Sequence, residues 1–280
     1  MPELPEVEVV RRGLASHVTS RRIEKLTVLH PRPVRSHPSG ADGMRAALEG
    51  RTIDAVRRRG KFLWFALDED ALVLHLGMSG QFRVNAPADD LVRNTRVLFD
   101  LDDGRQLRFV DQRMFGGLTL ATGGAINPVP HIALDPFDHD FDVVDVADRM
   151  RRRNTTVKRA LLDQRFVSGI GNIYADESLW RARMHFEHPT TALTRKRAVE
   201  VLQHAREVMA EALEQGGTSF DSLYVNINGE SGYFARSLDA YGREGQPCRR
   251  CSSPMVRRQF ANRSSFLCPK CQRLPRGGKR

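Results

Sequence analysis

The residues of this chain whose types and spacing could do chemistry sit at its two ends. Cys248, Cys251, Cys268 and Cys271 fall within the last 33 positions as two CxxC pairs separated by sixteen residues. Pairs at that spacing supply four thiolates to one tetrahedral zinc ion. A centre closed by four thiolates has no place for water, so one structural Zn2+ that performs no catalysis is expected. At the other end, removal of Met1 would leave Pro2 as a secondary amine. An α-amino group titrates near about 8, and a helix start or desolvation lowers this further, so a neutral fraction exists at working pH. Such an amine can condense with the anomeric carbon of a sugar to an iminium ion, as lysine does in Schiff bases. Glu3 and Glu6, three residues apart, could give and take protons beside it. Taken alone, however, a proline and a glutamate also simply start a helix, and on these residues that plainer reading wins.

A third group lies in VKRALLDQRFVSGIGNIYADESLWRAR, residues 157 to 183. The pattern predicts a short helix ending near Gln164, a turn, and a second helix opening near Asn172. Gly169 and Gly171 would let a ligand approach the backbone, and the exposed N–H groups of the second helix would favour an anion, with Asn172 as cap and phosphate donor. A helical hairpin is also common plain architecture.

These groups need elements to hold them. Leu4, Val7, Val10, Leu14 and Val18 form the stripe of an amphipathic helix over residues 3 to 18. From about 23 to 121 the pattern changes to short segments rich in β-branched and aromatic residues: IEKLTVLH, RTIDAVRR, KFLWFAL, ALVLHL, TRVLFDL and QLRFV. Asp103-Gly104 between the last two signals a hairpin, and this half reads as an antiparallel sandwich or barrel. Residues 122 to 142 are dense in Pro, Gly and Asp. Beyond them a helix is expected from about 195 to 215, with Ala198, Val201, Leu202, Ala205, Val208, Met209, Ala212 and Leu213 on one face and Gly216-Gly217 as its stop. MVRRQFANRSSFL, between the cysteine pairs, alternates like a β-hairpin with Asn262 and Arg263 at its tip. Arg257, Arg258 and Arg263 would then be held rigidly by the metal, as a phosphate grip or a solvated face. The fold class is accordingly α+β in two domains. Residues 1–131 form the N-terminal helix and β-sandwich, 132–147 a linker, 148–240 a helical domain and 241–280 the zinc module.

Composition agrees with a polyanion partner. The chain has 280 residues, 40% hydrophobic, and 44 Lys and Arg against 34 Asp and Glu give a formal charge of +10. The length supports two domains without help from disulfides. No signal peptide or membrane-spanning segment is expected, and paired cysteines in metal spacing suit a reducing compartment, so a cytoplasmic location is the default.

Taken together, the motifs resemble the formamidopyrimidine-DNA glycosylase family. The resemblance spans the chain and rests on MPELPEVE at the start, RRGKFL around Lys61, HLGMSG around Met78, DQRMFGG around Arg113, LLDQRFVSGIGNIYADE in the helix pair and YGREGQPC into the zinc module. It implies a helix-two-turn-helix in the second domain and double-stranded DNA with oxidised bases or abasic sites as partner, bound by a monomer. It implies Pro2 as the nucleophile, Glu3 as the acid–base residue, Glu6 as a supporting carboxylate and Lys61 as a charge beside the damaged nucleotide. It further implies that Met78, Arg113 and Phe115 fill the space left by an extruded base. By themselves these three would read as core Met, core Phe and surface Arg. His75, Lys158, Asn172, Tyr241 and Arg263 are placed on DNA by the same resemblance. Residues 216 to 234 correspond to a loop that covers the extruded base. The implied activity is excision of oxidised purines through an N-terminal proline imine, followed by strand cleavage through β and δ eliminations. The family's usual second basic residue in DQRMFGG is here Met114. Two alternatives stand: a glycosylase of the same fold for oxidised pyrimidines, and a non-catalytic zinc-dependent protein that binds damaged DNA.

Overall fold

The stripe Leu4, Val7, Val10, Leu14 and Val18 is buried along helix α1 (Leu4–Val18), with Glu3 as its N-cap. The computed structural model describes residues 2–217 and 237–273. The chain divides into two compact units between Pro130 and His131, and Gln215–Gly217 group with the first.

The first unit is the expected antiparallel sandwich. One sheet has five strands in the order β2 (Thr52–Ile53), β1 (Arg21–Val28), β7 (Thr95–Leu101), β8 (Gln106–Asp111), β6 (Gly80–Asn85). The other has four, in the order β3 (Ala55–Arg59), β4 (Phe62–Leu67), β5 (Asp70–His75), β9 (Gly117–Ala121). Strands β7 and β8 are joined at Asp103-Gly104, where Gly104 adopts φ +80° as the turn requires. In β4 every residue after Phe62 is buried, so its run FLWFAL is apolar without alternation. Helix α1 packs against β3, β4 and β6, and Leu14, Ile23, Phe65, Phe82, Phe99 and Phe109 belong to one continuous core.

Two features of this unit depart from the sequence reading. RTIDAVRR is not one strand: β2 ends at Ile53 and β3 begins at Ala55, so Asp54 is a one-residue corner between the two sheets. Asp54 Oδ2 takes the Asp68 amide at 2.6 Å, which anchors that corner. Residues expected to contain only strands also include helix α2 (Gly40–Leu48), which buries Met44 and Leu48.

The second unit contains α3 (Val143–Arg152), α4 (Val157–Leu162), α5 (Asn172–Arg181) and α6 (Arg195–Glu214), followed by the hairpin β10 (Val256–Phe260) and β11 (Arg263–Leu267). Helix α6 buries the expected face, with Leu213 half-buried at its edge. The linker over 132–147 is corrected. Ser168 Oγ donates to the Ala133 carbonyl at 2.6 Å, Asp135 is 1% exposed, and Val143 to Ala147 already belong to α3, capped by Asp142. This stretch is packed chain, because its Pro and Asp residues make caps and turns rather than a tether. The cysteine module is also not a separate compact unit, since β11 packs on α5.

Candidate active site and nucleic-acid interface

At the start of the first unit Pro2 is half-buried, while Glu3 and Glu6 are 5% and 4% exposed. The Glu3 amide donates to Glu6 Oε2 at 2.9 Å, one arm of a capping box. Glu6 thus satisfies an otherwise orphaned N–H, and residue 2 stands just ahead of the cap. A Cβ on Gly217 would lie 3.3 Å from Glu6 Oε1, so Gly217 sits against this carboxylate. The loop expected over 216–234 lies outside the described residues from 218 onward.

Lys61 occupies the turn between β3 and β4. A residue the sequence reading passed over ties that turn to α1. Glu8, 8% exposed, accepts from Arg11 Nη2 at 2.8 Å, Arg12 Nε at 2.9 Å and Arg58 Nε at 3.0 Å. Arg58 Nη1 in turn donates to the Gly60 carbonyl at 2.9 Å, one residue before Lys61. Burial alone would raise the Glu8 pKa, but the hydrogen bonds and charges of Arg11 and Arg58 prevail and hold it at about 2. The carboxylate is therefore a permanent anchor between the N-terminal helix and the Lys61 turn.

His75 ends β5 and lines a cavity of about 340 Å³ with Arg35, Phe62, Thr119 and Val129. Desolvation lowers its pKa, the Phe115 backbone and Asp111 pull it back, and the Arg35 charge adds to the lowering. The ring is a neutral hydrogen-bonding group near neutrality.

Met78, Arg113 and Phe115 sit on two neighbouring turns. Met78 is 40% and Phe115 47% exposed, so neither is the core residue its type suggests. The Arg113 guanidinium lies 5.3 Å from the centre of the Phe115 ring, within cation–π range. Fully buried Asp111 joins the turns: Oδ1 accepts from Ser79 Oγ at 2.6 Å and Oδ2 from the Gly116 amide at 2.7 Å. Ser79 Oγ also accepts the Arg113 amide at 2.9 Å. A Cβ on Gly77 would meet the backbone of Phe115 and Gly116 at 2.7 Å, so only glycine allows this approach.

In the second unit two consecutive acidic residues of α5, assigned no role from sequence, hold the C-terminal segment. Asp176 accepts from Lys158 Nζ at 2.6 Å, Ser265 Oγ at 2.8 Å and the Phe266 amide at 3.0 Å. Glu177 accepts the amides of Asp239 at 2.9 Å and of Ala240 and Tyr241 at 2.8 Å. Burial pushes the Glu177 pKa up to about 7, against the downward pull of those three amides.

The structure corrects three expectations here. Lys158 is fully buried between Asp176 and the Phe260 ring, so it does not present its charge to DNA; a helix-facing position on so short an element turned it inward. Asn172 is the first residue of α5 rather than its cap, which is Gly171, and its Nδ2 donates to the Ser264 carbonyl at 2.9 Å. The hairpin tip is Ala261-Asn262, with Arg263 already paired to Phe260, and Ala261 takes φ +50° there. Tyr241 packs edge-on against Phe266 at 5.0 Å, and Arg257, Arg258 and Arg263 are exposed.

The four cysteine sulfurs all lie within 4.8 Å of one another, and Cys251 Sγ is 3.5 Å from both Cys268 Sγ and Cys271 Sγ. Four sulfurs at about 2.3 Å from one zinc ion stand roughly 3.8 Å apart, so the cluster fits a tetrahedral zinc site. Cys248 and Cys268 are buried with Trp180 and Met255, while Cys251 and Cys271 are half-buried. Among the described residues this is the one group with metal-binding geometry.

A helix pair carrying a glycine turn, packed on a basic hairpin held by a zinc cluster, is the equipment of a zinc-containing nucleic-acid-binding protein. Residues 1–118 match the model of the formamidopyrimidine-DNA glycosylase N-terminal domain, 132–223 that of the formamidopyrimidine-DNA glycosylase H2TH domain, and 245–274 the zinc finger found in FPG and IleRS. This chain belongs to the formamidopyrimidine-DNA glycosylase family. It is 60% identical to the formamidopyrimidine-DNA glycosylase of a Nocardioides species over 99% of this chain and 96% of that one. A Lactococcus lactis FPG mutant in complex with Fapy-dG-containing DNA superposes with a TM-score of 0.89 at 31% identity, covering 98% of this chain and 100% of the other. The complex of Lactococcus lactis Fpg with abasic-site DNA gives a TM-score of 0.87 at 31% identity, covering 97% and 100%.

Proposed function

We propose that this chain is a bifunctional DNA glycosylase and abasic-site lyase of base excision repair that removes oxidised purines. The observation that carries the reading is the half-buried Pro2 just ahead of an N-cap made by the buried carboxylates Glu3 and Glu6. A relative bound to Fapy-dG DNA and one bound to abasic DNA support the substrate class.

The neutral Pro2 amine attacks C1′ of the damaged nucleotide, the bond to the base breaks, and the base leaves with a proton. Glu3 protonates the ring oxygen as the sugar opens, which gives an iminium ion. Loss of the C2′ proton then expels the 3′ phosphate, and a second elimination expels the 5′ phosphate. Glu6 holds the helix start on which this geometry depends. Lys61 and His75 stand beside the phosphates of the damaged nucleotide, Lys61 as a point charge. Met78 takes the place of the extruded base, Phe115 wedges into the stack and Arg113 faces the orphaned partner. In the second unit Asn172, Tyr241 and Arg263 contact the backbone, and zinc, when bound, supplies rigidity to the hairpin and no chemistry. No described helix is long and apolar enough to cross a membrane. A monomer acting in the bacterial cytoplasm is the setting that fits this reading.

The test is incubation with duplex DNA containing 8-oxoguanine opposite cytosine in the presence of borohydride, which reduces the imine to a stable adduct. Protein shown by intact mass to begin at Pro2 should be trapped, and protein with a blocked residue-2 amine should not. Absence of the adduct from correctly processed protein overturns the enzyme. Faster excision of thymine glycol than of 8-oxoguanine would move the substrate to oxidised pyrimidines.

A further inference from the structure

The segment between β1 and α2 runs beside the turn that carries Arg113 and Phe115, and its side chains reach every second carbonyl there. Arg32 Nε donates to Met114 O at 3.0 Å, Arg35 Nη1 to Gly116 O at 3.0 Å, and Ser36 Oγ to Leu118 O at 3.3 Å. Arg35 Nη1 also donates to Arg32 O at 2.8 Å, which links the first two contacts. Met114, between the two exposed groups, has φ +54°, a left-handed conformation that costs a side-chain-bearing residue about 1 kcal/mol and persists only where its surroundings fix it. Asp111 fixes the two ends of this turn through Ser79 and Gly116. The Met114 carbonyl in the middle is held by Arg32.

We propose that Arg32 and Arg35 are positioning residues that set how strictly this chain selects the base opposite the lesion. The inference rests on the proposed function. A reversed peptide at Met114 turns Arg113 and Phe115 outward side by side, as their 5.3 Å cation–π contact shows. A guanidinium distinguishes bases only when its fork of donors is held in register with base-edge acceptors, because a mobile one satisfies several bases equally. The hydrogen bonds of Arg32 and Arg35 to the Met114 and Gly116 carbonyls supply that register.

The experiment compares wild type with Arg32→Ala, Arg35→Ala, the double variant and Arg35→Lys. Two rates are read: excision of 8-oxoguanine opposite cytosine relative to opposite adenine, and cleavage of a single-stranded abasic oligonucleotide, which has no opposite base. Arg32→Ala, which leaves the Arg35 and His75 cavity intact, should lose several-fold of the cytosine-to-adenine ratio while its single-stranded cleavage stays within about twofold, and the double variant should lose about tenfold or more of the ratio. Arg35→Lys keeps one donor and should fall between. An unchanged ratio overturns the proposal, as does an equal fall in both rates, which would mark general damage to the fold. Wild-type protein that cleaves neither substrate would instead remove the functional reading itself.

Discussion

Ser79 donates its hydroxyl to Asp111 Oδ1 at 2.6 Å, and through this bond the turn of Met78 and the turn of Arg113 and Phe115 become one body. Asp111 is fully buried, and both of its oxygens are taken by donors. Replacement by Asn removes the charge and offers one acceptor where two are needed. Each buried group left without its partner costs about 1–3 kcal/mol. Asp111→Asn should therefore lower the melting temperature and reduce excision of 8-oxoguanine from duplex DNA more than cleavage of single-stranded abasic DNA. Equal effects on the two substrates would separate these turns from base replacement.

Glu8 gives a pH dependence with a defined sign. Its folded pKa of about 2 lies below the ordinary 4.5, so its stabilisation is fully present above about 4.5 and is lost as pH falls from there towards 2. The shift corresponds to on the order of 3 kcal/mol. Denaturant unfolding of wild type and Glu8→Gln at pH 7 should differ by that order, and at pH 3 the difference should shrink by about half. A gap independent of pH would refute the anchoring role.

Lys158 answers differently from a DNA contact. Removing one member of a buried ion pair leaves the other uncompensated, at about 3–5 kcal/mol. Lys158→Met should destabilise the second unit by this order, whereas Lys158→Met with Asp176→Leu should recover part of the loss. If Lys158→Met instead leaves stability intact and lowers the salt dependence of DNA binding, Lys158 is a phosphate ligand after all.

Elemental analysis should find one zinc per chain. Cys268→Ser, or extraction with a chelator, should release it and weaken duplex binding, since a tetrathiolate site contributes its binding energy directly to folding. Undiminished duplex affinity without zinc would mean that the hairpin does not hold DNA.

What the sequence made legible follows from how locally each element is encoded. Helices α1 and α6 were plain because their apolar residues recur over four or more turns, and the cysteine cluster because its four ligands come from two short motifs. Helix α2 was missed because nine residues with Met44 and Leu48 buried carry too little periodicity. The corner at Asp54 was missed because one residue changes sheets with neither glycine nor proline to mark it. Glu8, Asp111, Asp176 and Glu177 escaped for another reason. Several of their decisive partners, Arg58 for Glu8, Ser79 for Asp111 and the 239–241 amides for Glu177, stand 32 to 64 residues away along the chain. Lys158 was misread because a lysine in a basic chain looks like a surface charge until its Asp176 partner is seen.

The contacts of Arg35 and Ser36 bear on solubility as well. Strand β9 is the last of its sheet, with no further strand beside it among the described residues. Uncovered outer carbonyls of such a strand are a template on which another chain can add by β-pairing. Ser36 occupies Leu118 O and, just ahead of the strand, Arg35 occupies Gly116 O, and the side chains of a loop thereby take the place that a fifth strand of this sheet would hold. Loss of Arg35 and Ser36 together should show first in concentrated solution, as association between molecules that are still folded.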